Sequence, residues 1–257
     1  MPEGHTVHRL ARELAELRGT TVAASSPQGR FAPEAALVDG TVVDDVDAHG
    51  KHLFLLTGAG AVHVHLGMRG FWLRYPAPAT APMRQVRLRL ANADVAWDLV
   101  APSLCELLDD GGVRRVLERL GPDPLRPDAD VARVLAAWAA DRRPIGTVLL
   151  DQAVLAGVGN VFRNEALHEV GVHPARPAAE LDTAERDRLW AVLVSMMSRA
   201  VDDGRIITVE APYRLALPEA ESRRVYKQER CRDCGAPVEV GQVGGRTAYH
   251  CPVEQPA

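Results

Sequence analysis

Nowhere in its 257 residues does the sequence run apolar for anything near the roughly 20 residues that a membrane-crossing helix needs, so no membrane partner is expected. The start has no basic stretch leading into an apolar one, which argues against a secretory signal and for a cytoplasmic protein. Cysteine is scarce. Of four, Cys105 stands alone, and Cys231, Cys234 and Cys251 crowd the C-terminal end, a distribution that suits metal ligation better than a secreted disulfide framework. Positive charge is not in excess either: 30 Lys and Arg face 34 Asp and Glu, a net of −4, so any surface for nucleic acid must be local. What is present is ordinary for a globular protein, with 47% hydrophobic and 25% charged residues. The length suits two domains with a small appendage.

The chain opens Met1-Pro2-Glu3-Gly4-His5. If Met1 is removed, which a small following residue such as Pro2 permits, a secondary amine stands next to a carboxyl. An α-amino group titrates near about 7.7–8.0 against about 10.4 for lysine, so far more of it is a free nucleophile near neutral pH. A carboxyl one residue away could give or take a proton at the same centre. The plain alternative is a frayed start before a helix. Val7, Leu10, Leu14 and Leu17 recur at helical spacing through residues 6–18, with Gly19 as a stop, which places Pro2 and Glu3 at a helix N-terminus. The positive end of that helix favours an ionised Glu3 and disfavours a protonated amine at Pro2.

From Thr20 to Val100 the pattern becomes short alternating runs, 41–43, 52–56, 61–66, 71–74, 86–90 and 95–99, separated by Gly, Pro and Asn. Such a series predicts an antiparallel sandwich or barrel with one leading helix. Lys51, after Gly50, projects from a loop beside a strand, either solvated or facing a ligand. His63 and His65 share one strand face, a conceivable metal pair of a zinc-dependent hydrolase, though no third ligand lies nearby in sequence. His65-Leu66-Gly67-Met68-Arg69-Gly70 is a turn that offers an apolar Met68 and a cationic Arg69 at its tip.

A linker is expected around residues 121–127, and helices over 129–140, within 144–170, and over 183–202, whose Leu189, Val192, Leu193, Met196 and Met197 supply a core face. Residues 145–174 read as helix, glycine-rich double turn, helix. Asn160 lies where the second helix begins, either as a plain N-cap or, with Gly157 and Gly159 exposing backbone N–H groups, as part of a phosphate site. The last segment holds Cys231-x2-Cys234 and then Cys251-x2-Glu254, with Gly244-Gly245 between two strand-like runs: a zinc β-hairpin in outline. Its metal ligands are expected to be Cys231, Cys234, Cys251 and Glu254; His250 is the other candidate, disfavoured because neighbours on a strand face opposite ways. Residues 223–246 carry six basic and three acidic side chains, a local positive excess of three.

In this order, Pro2-Glu3-Gly4, Gly50-Lys51, His65-Leu-Gly-Met68, Leu149-Leu-Asp-Gln with Ala156-Gly-Val-Gly-Asn160 and Glu165-Ala-Leu, and the cysteine hairpin resemble the formamidopyrimidine-DNA glycosylase/endonuclease VIII family over nearly the whole chain. The resemblance implies an α+β multidomain protein: an N-terminal antiparallel β-sandwich with a leading helix (1–120), a helical helix-two-turn-helix DNA-binding domain (128–215) and a C-terminal zinc-finger-like β-hairpin (222–257), with damaged DNA in the cleft between domains. It implies a monomeric base-excision-repair enzyme with a structural Zn2+. Pro2 would attack C1′ of the damaged nucleotide, expelling the base and forming an iminium that permits β- and then δ-elimination. Glu3 would protonate the opening deoxyribose, Lys51 would meet the phosphate of the lesion, and Asn160 and Arg246 would hold the backbone. Met68, with Arg69, would fill the hole left by the flipped base, offsetting part of an unstacking cost of about a few kcal/mol.

Two departures narrow the expectation. The formamidopyrimidine branch carries an Asp-Pro-Arg-Arg-Phe-Gly loop, whereas the corresponding region here reads Asp98-Leu-Val-Ala-Pro-Ser-Leu-Cys105-Glu-Leu-Leu. That favours the endonuclease VIII side and oxidised pyrimidines over 8-oxoguanine. Glu254 stands where the family has a fourth cysteine. A catalytically silent damaged-DNA-binding protein of the same fold and an 8-oxoguanine/formamidopyrimidine glycosylase are the other readings.

Overall fold

A computed structural model describes residues 2–257, so the expected loss of Met1 concerns a residue outside those described. The chain divides into two compact units, one ending at Arg119 and one running Leu120–Ala257.

In the first unit, α1 (Gly4–Leu14) leads and tightens into a 3-10 turn at Ala15–Leu17. Val7, Ala11 and Leu14 point from it into the core, and the helix packs on β2 and β3 of the sheet that follows. The strands are β1 (Thr21–Ser25), β2 (Thr41–His49), β3 (His52–Thr57), β4 (Gly60–His65), β5 (Phe71–Tyr75), β6 (Val86–Ala91), β7 (Ala96–Val100) and β8 (Leu104–Leu108). All pairings are antiparallel, in the order β5-β7-β6-β1-β2-β3-β4-β8. Only two residue pairs, Thr21 with Val42 and Val22 with Thr41, join β1 to β2, so the strands form two four-stranded halves around one core. Leu53, Leu55, Val62 and Val64 face that core from one half, and Val22, Leu88, Leu90 and Leu99 from the other. This is the expected β-sandwich with a leading helix.

Two strands and two helices escape the alternation rule. β1 and β8 are short, and β8 reads Leu-Cys-Glu-Leu-Leu, a run that periodicity alone cannot tell from a helix. Two short helices close gaps beside the sheet, α2 (Ala32–Val38), with Pro33 in its first turn where no N–H partner is lost, and α3 (Asp110–Leu117), capped by Asp109.

The second unit contains α4 (Val131–Ala140), capped by Asp130, then the single turn α5 (Ile145–Val148), α6 (Asn160–Glu169) and α7 (Thr183–Asp203). Asp182 and Glu185 form a reciprocal capping box at the start of α7, and Gly204 at φ +72 ends it. Trp138, Ile145, Phe162, Leu167, Leu189, Leu193 and Met197 meet in its core. A hairpin of β9 (Glu239–Val243) and β10 (Arg246–His250) follows, in the register Arg246 with Val243 through His250 with Glu239. The stretch expected to be a linker is not one. Gly121, Pro122, Asp123 and Pro124 are buried, and Gly121 donates to Gln152 O while Pro122 O accepts from Ala156 N–H. A Cβ on Gly121 would stand 2.4 Å from the Val154 backbone, so this Gly-Pro sequence marks close packing rather than slack. No helix among the described residues is long and apolar enough to cross a membrane.

Candidate functional site

Glu3 is the N-cap residue of α1, extended at φ −123°, and only 1% exposed, while Pro2 beside it is half-buried. Eleven helical residues stand behind that carboxyl, so the positive end of the helix faces it. The β2–β3 turn, with Gly50 at φ +59, carries Lys51. Strand register then sets a row of histidines next to it: His49 pairs with His52, and His52 with His65. One step along, Phe54 pairs with His63, and His63 with Glu106.

His63 does have near neighbours, contrary to the reading of its sequence surroundings. Its Nδ1 lies 2.9 Å from Glu106 Oε1 and its Nε2 2.8 Å from His52 Nδ1. A carboxylate accepts only, so His63 Nδ1–H donates to Glu106, its Nε2 accepts, and His52 Nδ1–H donates to it. The chain is a tautomer lock and not a metal site: among the described residues, the ligating side chains that converge in threes are all in the second unit. Burial, followed by the positive charge of His63, His65, His49 and Lys51, pushes His52 down to about 3. Burial likewise lowers His63 against the pull of Glu106, so the short His63–Glu106 contact joins a neutral imidazole to a carboxylate. His65 is lowered by burial and then by Lys51.

Met68 is 72% exposed and Arg69 is exposed with it. Their turn is braced from behind. Ser103 N–H and Oγ both donate to His65 O, Gly67 N–H donates to His65 Nδ1, and Gly70 N–H to Leu66 O. Gly67 has φ +66, and a Cβ there would meet Ser103 at 2.8 Å. Ser103 belongs to the three-residue link between β7 and β8.

In the second unit Asn160 is the first residue of α6, whose N-cap is Gly159. The plain N-cap reading of Asn160 therefore fails. Its Nδ2 instead donates to Thr247 O on β10 at 3.0 Å. Arg163, 0% exposed, donates to Thr247 O at 2.7 Å, Val243 O at 3.2 Å and Gly146 O at 3.4 Å, and Asn164 Oδ1 accepts from Tyr249 N–H. Buried Glu165 accepts from the backbone N–H groups of Arg224, Val225 and Tyr226 and from Thr208 Oγ1. Thus α6 holds both the hairpin and the segment that leads into it. Sequence reasoning placed this stretch without assigning Arg163, Asn164, Glu165 or His168. The available signal was four polar residues spread round a helix too short of apolar positions to have a solvated face and a core face.

Arg246 is exposed at the hairpin end. Gly244 and Gly245 make the turn at φ +63 and +71, the two left-handed conformations of a type I′ hairpin. The basic strip is smaller than its count: Arg223 is buried against Glu219, and Arg224 pairs with Glu169 and Asp233. Lys227, Arg230, Arg232 and Arg246 remain exposed.

The sulfurs of Cys231, Cys234 and Cys251 converge within 4.8 Å of one another. Backbone N–H groups of Asp233 and Cys234 donate to Cys231 Sγ, that of Ala236 to Cys234, and those of Val253 and Glu254 to Cys251. Burial nevertheless pushes the Cys231 thiol up to about 12, and it is the convergence of three sulfurs that fits a thiophilic ion. Glu254 is exposed, and its carboxylate is not among the atoms that converge. His250 is turned elsewhere, its Nε2 3.1 Å from His173 Nε2.

Two family models match the chain: residues 1–98 match the formamidopyrimidine-DNA glycosylase N-terminal domain, and residues 120–211 the formamidopyrimidine-DNA glycosylase H2TH domain. Endonuclease 8 1 of Mycobacterium tuberculosis is 43% identical over 267 residues, covering 99% of this chain and 100% of its own. DNA-(apurinic or apyrimidinic site) lyase Nei2 of Mycolicibacterium smegmatis is 35% identical, with both chains covered in full. Lactococcus lactis Fpg (MutM), solved with DNA containing N7-benzyl-Fapy-dG, superposes with a TM-score of 0.82 over 100% of both chains at 23% identity, a likeness of fold. This chain's β-sandwich led by a helix, its H2TH unit and its hairpin follow the fold of that structure. The chain belongs to the formamidopyrimidine-DNA glycosylase/endonuclease VIII family.

Proposed function

We propose that this chain is a bifunctional DNA glycosylase and AP lyase of base excision repair that acts on oxidised pyrimidines, using Pro2 as its nucleophile. The observation that carries the reading is the buried Glu3 carboxyl at the N-terminus of α1, one residue from Pro2. With Met1 gone, the Pro2 nitrogen attacks C1′ of the damaged nucleotide. The bond from C1′ to the base breaks, and Glu3 protonates the deoxyribose ring oxygen as the ring opens. A secondary amine yields an iminium, positively charged without further protonation, which acidifies the C2′ proton. Loss of that proton expels the 3′ phosphate, and a second elimination expels the 5′ phosphate.

Lys51 meets the phosphate of the lesion as a point charge, beside His52 and His65, whose protonated forms burial disfavours. Asn160 and Arg246 hold the backbone, which positions the strand and carries no sequence information. Exposed Met68 and Arg69 enter the stack where the base leaves. The lack of an Asp-Pro-Arg-Arg-Phe-Gly sequence from Asp98 onward supports the preference for pyrimidines, since it leaves Met68 as the wedge. A structural zinc bound by Cys231, Cys234 and Cys251 belongs to the same reading, and when bound it fixes the base of the hairpin. The protein is read as a cytoplasmic monomer.

The test uses protein whose loss of Met1 is established by mass. It is incubated with duplexes containing 5-hydroxyuracil, 8-oxoguanine or an abasic site, then treated with borohydride. A covalent complex is expected with the first and third, strongly diminished in Pro2→Gly. No complex, or one undiminished in that variant, overturns the mechanism, and a preference for 8-oxoguanine overturns the substrate class.

A further inference from the structure

Strand alternation turns Leu53, Leu55, Val62 and Val64 to the core of the first unit, and so sets His52, Phe54, His63, His65 and Glu106 on the other face. Phe54 and His63 are buried there all the same, at 2% and 1% exposed. Their rings belong to a column. Phe54 stacks on His63 with centroids 4.8 Å and planes 9° apart, His63 stacks on His52 at 5.1 Å and 19°, and His52 meets His65 edge-on at 5.1 Å and 64°.

The column joins the two turns that carry proposed DNA contacts. His49 pairs with His52 across Gly50-Lys51, so His52 closes the turn that presents Lys51. His65 ends β4, and its Nδ1 accepts from Gly67 N–H in the turn that presents Met68. Hydrogen bonds give the column a direction as well. The carboxylate of Glu106 on β8 can only accept, so the proton in its 2.9 Å contact with His63 belongs to Nδ1 of the ring. Burial favours the neutral form of His63, whose Nε2 therefore accepts from His52 Nδ1 at 2.8 Å. A charged His63 would donate from both nitrogens and leave the His52 proton on Nε2. As built, the chain selects one tautomer and one ring setting for the residue that follows Lys51.

We propose that Glu106, His63 and His52 are positioning residues, which hold the Lys51 turn at a fixed setting against the Met68 turn so that phosphate grip and wedge engage one nucleotide together. This rests on the function proposed above and adds three residues to it, one from each of β8, β4 and β3, acting through Lys51. A displacement of about 1 Å in a group that orients a substrate can cost about a hundredfold in rate, so a turn held from behind is worth three buried or half-buried polar groups.

Long-range proton–nitrogen NMR spectra of the imidazoles in the purified full chain read the tautomers without DNA and without a variant. Near neutral pH, His63 and His52 are expected to be neutral and protonated at Nδ1. A charged His63, or a His52 protonated at Nε2, overturns the proposal. Single-turnover cleavage of an abasic duplex by Met1-processed protein then reads the positioning. His63→Phe keeps a ring in the stack and removes both hydrogen bonds, and is expected to slow cleavage about tenfold. In a Lys51→Gln background the same substitution should cost less than about twofold, because no lysine is left to position. His63→Gln, whose amide can donate to Glu106 and accept from His52, should recover most of the loss. Equal losses in the two backgrounds, no loss in His63→Phe, or no recovery in His63→Gln overturns the proposal while the function reading stands. A parent that neither traps on abasic DNA nor cleaves it overturns the function reading, and this role of the three residues with it, whatever their tautomers.

Discussion

His52 shows how much a single side chain owes to register. Its sequence neighbours identify Lys51 as a candidate cation, but nothing local reveals that β3–β4 pairing sets His65 opposite and that a hydrogen bond reaches His63 and Glu106. The consequence is a pH dependence of stability. His52 is held at about 3 in the folded protein against about 6.5 unfolded. The unfolded chain therefore binds the extra proton first, and stability is fully present above about pH 6.5 and falls as pH drops towards 3. Urea unfolding of the parent at pH 7 and pH 5 should give a lower midpoint at pH 5, and His52→Gln should narrow that difference. An unchanged difference would mean that the row of histidines does not govern it. Other single residues were legible without a structure because their chemistry is local: Pro2 and Glu3 are named by their place in the chain. Arg163 and His168 were not, because their partners lie about 65 to 85 residues away and no spacing rule reaches so far.

At the scale of elements, short apolar runs bounded by turn residues found the six strands between 41 and 100, and 3.6-residue spacing found α1, α4 and α7. Pattern reading failed where the element is short and only partly buried, as in β1, β8, α2 and α3. It also misread residues 121–124, where glycine and proline signal close packing against residues 152–156. The hairpin turn was legible from Gly244-Gly245, but its anchorage was not: a Cβ at Gly244 would stand 2.6 Å from Thr147 Oγ1 on α5. With φ +63 added, Gly244→Ala should cost about 1–3 kcal/mol and lift the tip from α5. The expected outcome is a lower thermal midpoint and weaker binding to an abasic duplex, with Gly245→Ala, which meets nothing within 4 Å, costing only its backbone strain. Equal effects of the two substitutions would sink the idea that Thr147 seats the turn.

Over the whole molecule, a net charge of −4 hides how little cation the proposed DNA-holding groups require. Several arginines serve the fold, such as Arg163 in α6 and Arg223 against Glu219, and the total says nothing about where the exposed ones lie. The same economy applies to sulfur. Met196 and Met197 are buried in the second unit, whereas Met68 stands 72% exposed on its braced turn. A thioether in that position is open to peroxide, and sulfoxidation would turn the proposed apolar wedge into a polar, chiral one. On the proposed reading, an exposed thioether stands where the strand is entered. Brief peroxide treatment should slow base excision from duplex DNA more than borohydride trapping on a single-stranded abasic site, and Met68→Leu should protect it. If so, oxidant stress would throttle the enzyme in step with the damage it creates, until a methionine sulfoxide reductase restores the wedge.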